Sequence, residues 1–97
     1  MKRQGDLLIR KIKKLPEQAK KRQGRILAEG EATGHKHELD LEGILYEKGD
    51  TLYFSVPESE TATLTHNEHG PLTFEAGTYK VVRQREYSPK SWRQVSD

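Results

Sequence analysis

The stretch His35-Lys36-His37-Glu38-Leu39-Asp40-Leu41 alternates without a break: His35, His37, Leu39 and Leu41 fall on one side of an extended chain, and Lys36, Glu38 and Asp40 on the other. A period of two is the mark of a half-buried strand. The two histidines lie on its apolar face. The pattern then spreads in both directions. Ile44-Leu45-Tyr46 and Thr51 to Val56 are apolar runs around Gly49-Asp50, a hairpin signal. Ala62 to His66 and Leu72 to Phe74 read as short strands on either side of the turn Asn67-Glu68-His69-Gly70-Pro71. After Glu75-Ala76-Gly77, Thr78 to Tyr87 reads as the longest strand, and Pro89 ends it.

Upstream, Arg25 to Thr33 reads as a strand bulged at Gly30, and Leu7 to Ile12 as a strand entered from a turn at Gly5-Asp6. Glu17 to Arg22 has no apolar stripe and is too short to hold a helix alone. Short strands at roughly 8–12-residue spacing, with Gly/Pro turns between them, predict an all-β fold: a small antiparallel barrel or roll with little or no helix. The 97 residues make one domain, comprising a basic segment over 1–25, the β-rich body and a short tail over 88–97.

The apolar fraction is 32 % and the charged fraction 33 %, so the chain can bury one modest core, and a homo-oligomer is expected to help cover its surface. Without cysteine it has neither disulfides nor thiolate metal ligands. No apolar run approaches the ~20 residues of a membrane span, so a cytoplasmic protein with no membrane partner is expected. Residues 1–25 hold ten Lys/Arg against Asp6 and Glu17, a balance of +8, and the remainder carries −6. That split suits either a basic arm for nucleic acid or an arm folded onto its own acidic remainder.

The concentrated chemistry is the four histidines, in two tight pairs: His35/His37 and His66/His69. Imidazoles at i and i+2 on a strand stand about 6–7 Å apart on one face, within reach of one ion. His66 and His69 flank a turn that can fold both toward one point. Three histidines, or two and a carboxylate, suit a divalent metal such as Zn, Fe, Mn or Ni. Glu68, between the second pair, is placed as a general base or as the partner that orients an imidazole. The plainer alternative is a hydrogen-bonded core histidine and solvated turn histidines, in a structural or assembly subunit.

Residues 30–49 carry a glycine, His35-x-His37, Glu42 and Gly49, and over about 20 residues they resemble the first motif of the cupins. The resemblance implies a cupin-like sandwich in which His35, His37 and Glu42 are metal ligands, with His66 or His69 as the fourth. The chain also resembles a layout shared by short bacterial proteins, to which no function attaches: Gln4-Gly5-Asp6, Thr33 to His37, Thr65 to Gly70, and Val82 to Tyr87.

A second function class rests on the last strand. Tyr79, Val81, Arg83, Arg85 and Tyr87 share one face, and Trp92 follows Pro89. Guanidinium groups among aromatic rings suit phosphates and stacked bases. With Lys11, Lys13 and Lys14 of the basic segment, these residues form the predicted RNA- or DNA-binding set.

Overall fold

The computed structural model describes residues 1–29 and 35–83. Ten strands are present there: β1 (Lys2–Gln4), β2 (Leu7–Ile12), β3 (Lys20–Lys21), β4 (Ile26–Glu29), β5 (Lys36–Leu39), β6 (Leu45–Lys48), β7 (Thr51–Val56), β8 (Ala62–Thr65), β9 (Leu72–Phe74) and β10 (Gly77–Arg83). Among the described residues there is no helix, and none long and apolar enough to cross a membrane. The all-β reading holds.

The strands form two antiparallel sheets, one in the order β1-β2-β10-β7-β6-β3 and one in the order β4-β5-β8-β9. The Gly49-Asp50 hairpin forms as read, pairing Lys48 with Thr51. Gly5-Asp6 makes a second turn of the same kind, pairing Gln4 with Leu7. Gly5 and Gly49 have φ of 60° and 61°, at the first turn position where such two-residue hairpins call for glycine. The sequence reading placed the Gly5-Asp6 turn but not the strand before it. A three-residue strand, Lys2-Arg3-Gln4, has too few apolar positions to show a period.

Alternation decides what is buried. From β5, His37 and Leu39 point inward while Lys36 is exposed. From β10, Tyr79 and Val81 point inward, and Arg83 shares that side two residues on. Leu7, Ile9, Leu45, Phe54, Val56, Tyr79 and Val81 of the larger sheet meet Leu27, Leu39, Ala62, Leu64 and Phe74 of the smaller one in a single core. Phe54, Phe74 and Tyr79 form its centre, with ring centroids 5.0–5.3 Å apart. Such aromatic pairs add to the area they bury. The Tyr79 hydroxyl leaves the core satisfied, donating to the Glu75 carbonyl at 2.8 Å.

Two further details depart from the sequence reading. The polar segment over 17–22, read as a loop or a single short helical turn, contains β3, whose Lys20 and Lys21 pair with Glu47 and Tyr46. In β4 the register breaks between Ile26 and Ala28, upstream of the bulge expected at Gly30, which lies outside the described residues. Phe54 is fully buried and touches both other rings of the centre, so Phe54→Ala should destabilise the fold by about 3–5 kcal/mol. Urea unfolding followed by tryptophan fluorescence or circular dichroism would measure this. A loss under 1 kcal/mol would mean that the two sheets do not share this core.

Candidate functional site: a histidine cluster at one end of the sheets

The site begins with a buried amide. Gln4, at the end of β1, is 2 % exposed. Its Nε2 donates to the Leu64 carbonyl at 2.9 Å and to the Gly70 carbonyl at 2.8 Å. Two carbonyl acceptors fix which end of the amide is nitrogen, so Oε1 must accept. The group 2.8 Å from it is His37 Nδ1, which therefore carries the proton. The other ring nitrogen, Nε2, then keeps its lone pair.

His37 is 5 % exposed, and its pKa is lowered to about 4. The first cause is removal of the charged form from water, followed by repulsion from His66. At neutral pH the ring is an uncharged base. Its Nε2 lies 3.7 Å from Asp6 Oδ1, and Asp6 Oδ2 lies 3.8 Å from Arg83 Nη2. Asp6 thus stands between His37 and the last described residue of β10.

The turn after β8 brings in the second pair. Lys36 N–H donates to Asn67 Oδ1 at 3.1 Å, tying the turn to the start of β5. His66 Nδ1 accepts the Glu68 N–H at 3.0 Å and the His69 N–H at 3.3 Å, acting as a turn cap of the kind that Asx side chains provide. A nitrogen that accepts has no proton, so neutral His66 carries its proton on Nε2. His66 is also the hub of the rings: its centroid is 4.3 Å from that of His37, 4.7 Å from His69 and 5.5 Å from His35. Burial and the neighbouring His69 and His35 lower its pKa.

The two pairs therefore meet in space. Gly5 closes the group from the β1–β2 turn. A Cβ at Gly5 would lie 3.1 Å from His69 Nε2 and Cδ2 and 3.3 Å from His37 Cε1, so both rings press against bare backbone. Glu68 stands beside the cluster, with Oε1 3.6 Å from His35 Nδ1.

The other predicted residues are placed differently. Glu42 is 82 % exposed and sits 3.9 Å from Arg25 Nε, in the group that Arg25 forms with Glu38. The ligand role implied by the cupin resemblance finds no support from that position. Lys11 pairs with Glu75 at 3.5 Å. The β2–β10 register sets Lys11 opposite Tyr79 and Leu7 opposite Arg83, four residues or about 13 Å along the strands. Lys13 and Lys14 lie beyond that far end, exposed. Among the described residues the predicted nucleic-acid set is spread along that length, and its Arg83 is on the inner face. Arg85, Tyr87 and Trp92 lie outside the described residues.

Sequence reasoning missed Gln4, Asp6 and the inward place of Arg83 in the site. The signal available was the Gln4-Gly5-Asp6 turn, in the layout noted above. Among the described residues, no three His, Asp or Glu side chains already stand in the geometry of a metal cage.

Two measurements follow from this geometry. Gly5→Ala should cost about 1–2 kcal/mol, from its positive φ and the displaced rings, and should shift the His37 and His69 ring resonances. Unchanged resonances would contradict the packing described. His37 stays neutral in the folded chain where the unfolded chain is protonated. The His37 contribution to folding stability should accordingly fall as pH drops from about 6.5 to about 4, by about 3 kcal/mol. Urea titrations across that window, with His37→Gln flattening the profile, test the assignment.

A protein-family model described as "Domain of unknown function (DUF8820)" matches residues 3–84, a span that contains every residue of the cluster. No curated protein and no solved structure matches the chain.

Proposed function

The chain belongs to that family, the DUF8820 domains, and from this premise we propose that its histidine cluster binds a divalent metal ion through His37, His69 and Asp6. The observation that carries the proposal is the Gln4–His37 hydrogen bond. A histidine that ligates a metal through one nitrogen characteristically donates its other N–H to an oxygen, which fixes the tautomer and raises ligand basicity. Gln4 does this for His37, and the low pKa keeps the ligand unprotonated at pH 7.

The third group fits the same reading. Two ligands each about 2.1 Å from one ion at a tetrahedral angle stand about 3.4 Å apart. His37 Nε2 and Asp6 Oδ1 are 3.7 Å apart, so a small side-chain rotation seats both. His69 Nε2 reaches the same glycine, Gly5, that His37 touches. Two histidines and one carboxylate form a donor set with open positions, suited to Fe²⁺, Zn²⁺, Mn²⁺ or Ni²⁺. An ion so held polarises a bound oxygen and lowers the pKa of water.

The surrounding residues supply the rest. His66, with its proton on Nε2, is a hydrogen-bond donor rather than a ligand. His35 and Glu68 form a pair at 3.6 Å through which a proton can pass between the cluster and solvent. Arg83 Nε is buried and has no hydrogen-bond partner among the described residues. The same side chain lines a cavity of about 490 Å³ with Leu27, Ala28 and Leu52.

Isothermal titration of chelator-treated protein with Zn²⁺, Mn²⁺ and Ni²⁺ tests the proposal. One ion per chain is expected, with binding lost in His37→Ala and in His69→Ala. Gln4→Leu should weaken affinity about 10- to 100-fold while every ligand remains. Glu42→Ala should bind like the native chain. Equal binding by the native protein and the two histidine variants would sink the assignment.

A further inference from the structure

The outward face of the larger sheet carries a row of side chains that the histidine site does not use. Register pairs Lys21 with Tyr46, Tyr46 with Tyr53, Tyr53 with Lys80, and Lys80 with Arg10. Directly opposed residues of antiparallel strands share a face. These five therefore form one line across β3, β6, β7, β10 and β2, spanning about 19 Å at ~4.8 Å per strand. That face is outward, because the neighbouring residues Phe54, Tyr79, Val81 and Ile9 are the ones in the core. Tyr53 is 7 % exposed and belongs to no core cluster.

Charge distinguishes this face from the rest of the molecule. Its strand positions also hold Arg3 and Lys48 and, among the described residues, no Asp or Glu. Off this face Lys11, Arg22, Arg25, Lys36 and Arg83 each stand within 4 Å of a carboxylate, while Lys2, Lys13, Lys14 and Lys20 have no such partner among the described residues. None of Arg3, Arg10, Lys21, Lys48 and Lys80 has such a partner among the described residues. Lys80 and Arg10 are direct cross-strand neighbours of like charge, a pairing that destabilises a sheet. Lys21 Nζ stands 5.8 Å from the centroid of the half-buried Tyr46 ring, so a cation and a π-face are offered together.

We propose that this sheet face binds single-stranded nucleic acid. The cations follow the phosphates, and Tyr46 stacks a base. Complementary charge argues for a polyanion, and the aromatic ring in the middle of the cationic row argues for one with unpaired bases, since a duplex keeps its base faces stacked. The surface is distinct from the predicted set of Lys11, Lys13, Lys14 and Arg83, and it does not depend on the metal reading.

Fluorescence anisotropy of the full chain with labelled 12-nucleotide oligo-dT, oligo-rU and a duplex of equal length tests the proposal and separates DNA from RNA. Single strands should bind at low salt, with a log–log salt slope of up to about −3.5 for five cations. The duplex should bind at least about 5-fold more weakly. Arg10→Gln/Lys80→Gln should make the slope shallower by about 1.4. Tyr46→Ala should weaken binding roughly 10-fold, and Tyr46→Phe should restore it.

Lys80→Glu supplies a control for folding, because it turns a repulsive pair into an attractive one. It should raise the melting temperature by about 1–5 °C while weakening oligonucleotide binding. Metal titration of these variants should be unchanged, so the two readings stand or fall separately. No single-strand binding at 50 mM salt, or equal slopes in the native and double-variant proteins, would overturn the proposal. Capture by phosphatidylserine vesicles with no oligonucleotide binding would overturn it as well.

Discussion

The structure depends most on one side-chain amide. Gln4 sits at the inner end of the first strand, and its three hydrogen bonds reach the Leu64 carbonyl of β8, the Gly70 carbonyl of the following turn and the His37 ring of β5. The first strand of one sheet is thereby joined to three points of the other. Each of those partners is a polar group at the end of the core, where a buried group without a partner costs about 1–3 kcal/mol. A hydrophobic residue of similar size at position 4 would leave two carbonyls and an imidazole N–H to be satisfied some other way. The same amide sets the tautomer of His37, so the bond that joins the sheets also decides which nitrogen faces the cluster.

That economy suits a domain with little apolar material. The Phe54, Phe74 and Tyr79 centre supplies the dense packing, and at the opposite end of the inner space the sheets are closed by polar groups. Four imidazoles in contact are a poor way to stabilise a small protein. Burial and mutual repulsion push His37 and His66 toward neutrality, and both effects work against folding once the pH falls. Gly5 adds a backbone position that only a residue without Cβ adopts freely while leaving room for two rings. Local rules broken together in one place are the usual trace of a site kept for its chemistry.

How much of this was legible follows from what makes a signal periodic. Alternation exposed β5 and β10 because the stretches around them run long enough for inward and outward residues to separate, and β7 showed as an apolar run. The hairpin at Gly49-Asp50 was visible because both of its strands are apolar. β1 and β3 were not, since three and two polar residues carry no period. The histidines stood out by type, and their meeting was a matter of topology that spacing alone does not fix. Gln4 and Asp6 stayed hidden because a glutamine and an aspartate around a glycine look like an ordinary solvated turn. Glu42 was drawn in by its spacing to His37, but the chain bends after Leu39 and its carboxylate goes to Arg25.

The charge split of the sequence also acquires a physical form. Expected as a basic arm against an acidic remainder, it becomes an assignment of faces, because the cations of residues 1–25 are divided among strands that point in different directions. Lys11 and Arg25 find carboxylates on the acidic remainder, and Arg22 meets Glu47 beside β3. Arg3, Arg10 and Lys21 instead join Lys48 and Lys80 on the outer side of the larger sheet, where the strand positions offer no acid among the described residues. Folding alone would favour placing one of the chain's many carboxylates opposite Arg10, and the sequence places Lys80 there. A repulsion that a single exchange for glutamate would remove is explained more simply by a polyanionic partner than by the demands of the sheet.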